Sequence, residues 1–285
     1  MSEVLNFKPH LTGVLGHPIS ENPTVVMQEA AFQKNKIHWR YITMEVLPED
    51  LESAVKGLRA LNFDGFNLTI PHKVEVMKYL DQIDESASLI GAVNTVLNKD
   101  QKLIGYNTDG KGFTLALEKN GVDLKGKKLT ILGAGGAAKA IAVECALLGL
   151  DELIIINRNQ ARGEQLASTI EENTKTNVKY VKWDGTVKID NDTDILVNGT
   201  SIGLFPDTSI PDIDYGFITE SKIVCDIIPN PPKTEFLKKA ASKGAKTFDG
   251  LGMLVNQGMI GFKIWTGEDA DEAVMTKALM DVFGS

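Results

Sequence analysis

An α/β fold in two domains is predicted by three observations. Apolar strand-like runs alternate with helix-period segments along most of the 285 residues, the pattern of a largely parallel sheet covered by helices. A glycine-rich turn, Gly133-Ala134-Gly135-Gly136-Ala137-Ala138, stands directly between the apolar run KKLTIL and a helical segment. After Asp249-Gly250 two helical segments follow without another strand, so the chain is expected to fold back on its first domain. The expected layout is an N-terminal α/β domain of residues 1–106 and 250–285, with a doubly wound, Rossmann-type domain of residues 107–249 between its two parts.

Each element has a local reason. Leu11–Gly16 reads as a short buried strand, followed by a helix through about Asn35 and a second strand at Arg40–Val46. Pro48 opens the helix PEDLESAVKGLRAL, whose leucines and Val55 recur at helical spacing. Phe63–Thr69 is the next strand, and the following segment HKVEVMKYLD (His72–Asp81) predicts a helix. AVNTVLN and KLIGYN form a strand pair about the turn Lys99-Asp100. GKGFTLALEKNG is a helix that leads to KKLTIL. The helix AAKAIAVECALLG and the strand ELIIIN then complete a βαβ unit. Further strands are expected at Lys179–Lys182, Asp194–Asn198, Ile223–Ile228 and Ala245–Phe248, and the closing helices at Met253–Trp265 and Asp269–Phe283.

Composition narrows the function. With 43% hydrophobic and 24% charged residues the chain has the balance of an ordinary water-soluble protein. A net charge of -8 and the lack of a basic stripe argue against nucleic acid or an anionic membrane as partner. The start, MSEVLNFKPHLTG, has no basic segment followed by an apolar core. No apolar run reaches the roughly 20 residues that span a bilayer. A cytoplasmic protein, monomeric or homodimeric, is expected. Cys145 and Cys225 lie in apolar runs and match no metal-ligand spacing, so they read as core residues and no metal is expected.

The chemistry gathers at strand ends, where open α/β sheets hold ligands. Asn67-Leu68-Thr69-Ile70-Pro71-His72-Lys73 breaks out of a strand and delivers a lysine; Asn107-Thr108-Asp109-Gly110 supplies a carboxylate. No chemistry is assigned to His72. The glycine loop has the strand–turn–helix context of a dinucleotide site: its glycines allow a tight turn and close backbone approach to a pyrophosphate. The next strand ends in Asn157-Arg158, with Arg162 one helical turn on, where NAD sites usually carry an acid. A carboxylate would repel a 2′-phosphate, whereas guanidinium groups bind it. NADP(H) is therefore favoured over NAD(H), and hydride transfer is the expected chemistry.

With these runs assembled, the chain resembles the shikimate dehydrogenase family, including its quinate/shikimate branches. The matching runs are NLTIPHK, GAVNT (Gly91–Thr95), NTDGKGF (Asn107–Phe113), GAGGAA, INR (Ile156–Arg158), NGTSIG (Asn198–Gly203) and DGLGMLVNQG (Asp249–Gly258), in the family's order. The resemblance implies NADP(H)-dependent interconversion of 3-dehydroshikimate and shikimate, or of the related quinate pair. It makes the first domain the substrate domain and the second the NADP-binding domain. Lys73 and Asp109 become the catalytic pair, and Thr69, Asn94 and Gln257 bind ring hydroxyls. Gly133, Ala134, Gly135, Gly136, Ala137, Asn157, Arg158 and Arg162 hold the cofactor. Thr200, in the loop beside the nicotinamide, and Gly250 complete that set.

Two departures bear on the substrate. The family usually carries H-S-x-S-P after the first strand, its serines holding the substrate carboxylate. Here the serine positions are Asn22 and Thr24, with Glu21 for the histidine, Pro23 between them and Val25 for the proline. Thr24 keeps a hydroxyl and Asn22 an amide donor, so a carboxylate clamp is still expected of them. Asn22 before Pro23 also reads as a helix N-cap. Pro229 stands where many relatives have tyrosine. An enzyme of the same kind acting on another hydroxylated ring substrate is the alternative these changes raise. A non-catalytic NADP-binding regulatory protein is a third reading, against which the retention of both Lys73 and Asp109 argues.

Overall fold

The computed structural model describes residues 7–283; the leader-free reading of the first six residues lies outside them. The chain divides into two compact units. One runs through Thr108 and resumes at Gly258, and the other is Asp109–Gln257. The sequence places these divisions at 106/107 and 249/250. Among the described residues no helix is long and apolar enough to cross a membrane.

The first unit contains β1 (His10–Gly16), α1 (Thr24–Asn35), β2 (Trp39–Glu45), α2 (Leu51–Ala60), β3 (Gly65–Leu68), β4 (Gln82–Ile83), α3 (Glu85–Ile90), β5 (Thr95–Lys99) and β6 (Lys102–Tyr106). Its sheet runs β2-β1-β3-β5-β6-β4. Parallel β1 and β3 pair at Val14↔Asn67 and Leu15↔Leu68. Antiparallel β5 pairs at Asn67↔Thr95, and β6 at Thr95↔Tyr106. The exits of β1, β3 and β6 and the entry to β5 therefore share one edge. One sheet face is covered by a core that includes Leu15, Leu51, Val55, Phe66 and Val96.

The chain returns to this unit at its C-terminal end. Phe262 packs on Phe32 with ring centroids 5.4 Å apart. The Trp265 indole N–H donates to the Val96 carbonyl at 2.9 Å. Gly65 makes room for that indole: a Cβ there would sit 2.3 Å from Trp265 Nε1.

The second unit adds α4 (Asp109–Lys119), β7 (Lys128–Leu132), α5 (Gly136–Leu147), β8 (Glu152–Asn157), α6 (Gln160–Asn173), β9 (Asn177–Lys182), β10 (Val187–Lys188), β11 (Ile195–Asn198), β12 (Ile213–Asp214), β13 (Ile223–Asp226), α7 (Glu235–Ala241) and β14 (Lys246–Phe248). Then α8 (Gly250–Thr266) and α9 (Glu272–Phe283) close the chain. The sheet order is β14-β13-β11-β7-β8-β9, with every pair parallel. Counted from β7 this is the 3-2-1-4-5-6 order of a dinucleotide-binding sheet.

One predicted element differs. His72–Asp81 is not an α-helix; it is a series of turns with a short 3₁₀ helix at Glu75–Tyr79. The Lys73 carbonyl accepts from the N–H of Val93 at 2.7 Å, so it is spent across the fold and not along a helix. The short elements β4, α3, β10, β12 and α7 and the longer helix α6 fall where the sequence predicts none.

Candidate active site

The edge of the first sheet collects the polar residues. The Thr69 N–H donates to Leu15 O at 2.9 Å, and Gly16 lies so close that a Cβ there would meet the Thr69 methyl at 2.4 Å. His72 is buried, its Nε2 lying 2.8 Å from the Val46 carbonyl. Lys73 is half-buried on the adjoining turn. The Leu68 N–H donates to Asn94 O at 2.9 Å, which brings the NLTIPHK strand beside GAVNT.

A buried polar chain orders this edge. The Tyr41 hydroxyl donates to Asn67 Oδ1 at 2.6 Å, and Asn67 Nδ2 donates to Asn94 O and Thr95 Oγ1, both at 2.9 Å. Asn94 Oδ1 accepts from the Thr108 N–H at 2.8 Å, while Asn94 Nδ2 donates to Thr108 Oγ1 at 3.0 Å. Burial pushes the Tyr41 hydroxyl well above its usual range, so it stays a donor. Asn67 thus faces inward and fixes Asn94, and Asn94 fixes the residue before Asp109. Tyr41→Phe leaves Asn67 Oδ1 without a donor. It is expected to lower unfolding stability by about 1–3 kcal/mol, read from urea midpoints; an unchanged midpoint would remove the bond from this role.

Asp109 opens α4 and is half-buried. The glycines after it seat the helix by close approach: a Cβ at Gly110 would lie 2.3 Å from Ala140 O, and one at Gly112 2.6 Å from Gln257 N. Lys111 Nζ pairs with the buried Glu144 carboxylate at 2.7 Å, a further tie to α5. Gln257 is buried, its Nε2 donating to Leu254 O at 3.0 Å.

At the start of α1 the N-cap position is held by Pro23, with no side-chain cap, so Asn22 stands one residue before the cap expected of it. Asn22 Oδ1 accepts from the Thr24 N–H at 3.0 Å, an Asx turn leading into the helix. Thr24 is buried and Glu21 exposed. Four residues on, fully buried Gln28 donates to Gly258 O at 2.9 Å. Its Oε1 has no hydrogen-bond partner.

In the second unit Gly133 has φ +100°, a conformation that favours glycine. Its N–H donates to Ile156 O at 2.8 Å. Gly135 and Gly136 are exposed at the N-terminus of α5, and a Cβ on either would meet nothing within 4 Å. Ala134 and Ala137 are half-buried beside them. At the end of β8, Asn157 Nδ2 donates to Asn159 O at 2.8 Å, and Asn159 Oδ1 caps α6 through the Arg162 N–H at 3.0 Å. Arg158 and Arg162 are exposed, and the first turn of α6 carries no acid. Thr200 donates to Asn198 Oδ1 at 2.7 Å. Gly250 closes on the next loop: its N–H donates to Ile228 O at 3.2 Å, and a Cβ would lie 2.2 Å from Ile227 O.

Three family descriptions match the chain in sequence. They are the shikimate dehydrogenase substrate binding domain over residues 14–96, shikimate / quinate 5-dehydrogenase over 114–204 and the shikimate 5′-dehydrogenase C-terminal domain over 250–280. The shikimate dehydrogenase (NADP(+)) of Methanocaldococcus jannaschii is 44% identical, covering 98% of this chain and 99% of its own. The chain belongs to the shikimate dehydrogenase family.

Two solved structures of similar fold differ in what they act on. A shikimate dehydrogenase in complex with NADP+ is 41% identical at TM-score 0.89, covering 98% of each chain. The ligand-free 5-ketofructose reductase of Gluconobacter sp. strain CHM43 is 47% identical at TM-score 0.95, covering 97% of this chain and 100% of that one.

Three buried polar residues receive no role from the sequence: Tyr41, described above, and Asp226 and Thr234, which are hydrogen-bonded to each other at 2.7 Å. Asp226 and Thr234 sit at or after a strand's carboxyl end, which is the signal that could have marked them. Tyr41 gave none, since it reads as an ordinary strand aromatic.

Proposed function

We propose that this chain is an NADP(H)-dependent dehydrogenase that interconverts 3-dehydroshikimate and shikimate, or the related quinate pair. The observation that carries the reading is the shared edge of β1, β3, β5 and β6. There Lys73 leaves one strand end, and Asn94 binds the residue that precedes Asp109. Family membership and the name of the 44% identical relative support the substrate pair.

The residues of the second unit fit NADP(H). The exposed Gly135 and Gly136, with open space on their Cα atoms and the N-terminus of α5 behind them, suit a pyrophosphate. Gly133, Ala134 and Ala137 shape that turn. Arg158 and Arg162, with Asn157 beside them and no acid in the first turn of α6, suit a 2′-phosphate. Thr200 and Gly250 border the far end. The bound cofactor supplies or accepts the hydride.

The protein's own groups handle the oxygen. Hydride arriving at the carbonyl carbon leaves an alkoxide, which the Lys73 ammonium stabilises and protonates; in the oxidising direction Lys73 takes the hydroxyl proton. Asp109 accepts a hydrogen bond from a substrate hydroxyl and orients the ring. Thr69, Asn94 and Gln257 bind further hydroxyls, and Asn22 and Thr24 take the carboxylate. We read the enzyme as cytoplasmic, monomeric or homodimeric, and free of membrane and nucleic acid; its net charge of -8 supports the last two points.

A second reading is favoured by one observation. Glu21 places a negative charge next to Asn22 and Thr24, which suits an uncharged polyhydroxy ketone better than a carboxylate; the bond from the Thr24 N–H occupies Asn22 Oδ1 and leaves its Nδ2 as the donor toward either substrate. The 47% identity to a 5-ketofructose reductase supports the same substrate class. The test is steady-state turnover with shikimate, quinate and 5-ketofructose, each with NADP(H) and NAD(H). Shikimate-dependent NADP+ reduction is expected. Turnover of 5-ketofructose alone would replace the first reading with the second. NADP+ binding without any turnover would leave a non-catalytic role.

A further inference from the structure

We propose that Asp226 is the positioning residue for the nicotinamide half of the cofactor site, its buried carboxylate joining the two loops that border that half. The inference rests on the NADP(H) reading above. In a 3-2-1-4-5-6 sheet the glycine loop follows the first strand, here β7, and the second half-site lies over the carboxyl ends of the fourth and fifth. Those strands are β11 and β13, in register at Asn198↔Asp226.

Asp226 ends β13 and is 1% exposed. Its Oδ1 accepts from Asn198 Nδ2 at 3.1 Å and from the Ile228 N–H at 3.2 Å, and its Oδ2 accepts from Thr234 Oγ1 at 2.7 Å. Burial pushes the carboxyl up, while these donors and the Ile227 amide pull it down. Asn198 in turn donates to Ile202 O at 3.1 Å and accepts both the hydroxyl and the amide of Thr200. The loop carrying Thr200 is thus closed on itself and moored to one carboxylate.

That mooring reaches the rest of the cofactor surface. Gly199 and Thr200 lie against Gly133, 3.0 Å from where its Cβ would be. On the other side Ile227 and Ile228, next to Asp226, hold Gly250. One side chain therefore sets the distance between Thr200 and Gly250. A polar interior that is fully hydrogen-bonded specifies a single arrangement, which is what a stereospecific hydride transfer requires of its cofactor.

The test separates the two halves of the cofactor by titration calorimetry with NADP+ and with adenosine 2′,5′-bisphosphate, which lacks nicotinamide. Asp226→Ala is expected to weaken NADP+ by about tenfold and to leave the bisphosphate within about twofold, the scale of one or two hydrogen bonds to a charged group. Asp226→Asn keeps the Oδ1 acceptor and is expected to recover most of the affinity. Thr234→Ser keeps both the bond to Asp226 Oδ2 and the cap of α7, whereas Thr234→Val removes both; if Asp226→Ala does not fold, the valine variant should act in its direction and the serine variant should stay near wild type. Equal weakening of both ligands, or of neither, overturns the positioning role. Wild-type protein that binds neither ligand overturns instead the cofactor reading beneath it.

Discussion

Lys73→Ala is expected to lower kcat by about 10³-fold, since the proposed mechanism gives that ammonium both stabilisation of the developing alkoxide and delivery of its proton. The affinity for NADP(H) should stay within about twofold, because the groups proposed to hold the cofactor are backbone amides and guanidinium groups of the second unit. KM for the ring substrate should change by less than about fivefold, most of its hydrogen bonds surviving. Stopped-flow hydride transfer and equilibrium cofactor titration on the same preparation check both halves. Near wild-type turnover would take Lys73 out of the mechanism.

A second substitution at this position divides two roles. Lys73→Arg keeps the positive charge but presents a guanidinium that stays protonated throughout the working pH range. An electrostatic clamp tolerates that exchange better than a group that must give up and regain a proton. Turnover of the arginine variant close to wild type in the reducing direction therefore points to the clamp. A loss as deep as that of alanine, in both directions, points to acid/base exchange. The half-buried turn that carries Lys73 is anchored through its carbonyl to Val93, so neither substitution touches the bond that holds the turn.

How far the sequence reveals this site depends on the range over which each feature is determined. NLTIPHK is legible because a strand pattern, a proline and a lysine follow one another directly. The glycine loop is legible for the same reason: the run before Gly133 and the helix after Gly136 are its immediate neighbours. His72–Asp81 misleads, because its helical spacing is local while the bond that breaks the helix, Val93 N–H to Lys73 O, comes from twenty residues away. α3, only six residues long, is too short to show a period. The support behind the site is long-range throughout. Tyr41 meets Asn67 and Asn198 meets Asp226 only through strand registers, which no local pattern encodes. Asn22 shows the remaining limit: the Asn-Pro pair marks the start of a helix, yet the cap falls on Pro23 and the asparagine forms an Asx turn one residue earlier, which local sequence does not distinguish.

Replacing Arg158 and Arg162 together by alanine is expected to raise KM for NADP+ by about 100-fold, with KM for NAD+ within about threefold. The two guanidinium groups are the cations expected to meet a 2′-phosphate, and each charge-assisted hydrogen bond is worth about 1.5–3 kcal/mol. Their sum is discounted because both side chains are exposed and so screened by salt. The same exposure supplies an internal check. KM for NADP+ in the wild type should rise with ionic strength, and the double variant should lose that dependence while NAD+ shows little of it in either protein. The backbone should not confuse the reading, since Asn159 caps α6 through the Arg162 amide and not its side chain. Parallel losses for NADP+ and NAD+ would mean that the arginines support the loop and do not select the phosphate. Preference for NADP(H) would then have to come from the absence of an acid at the end of β8 alone.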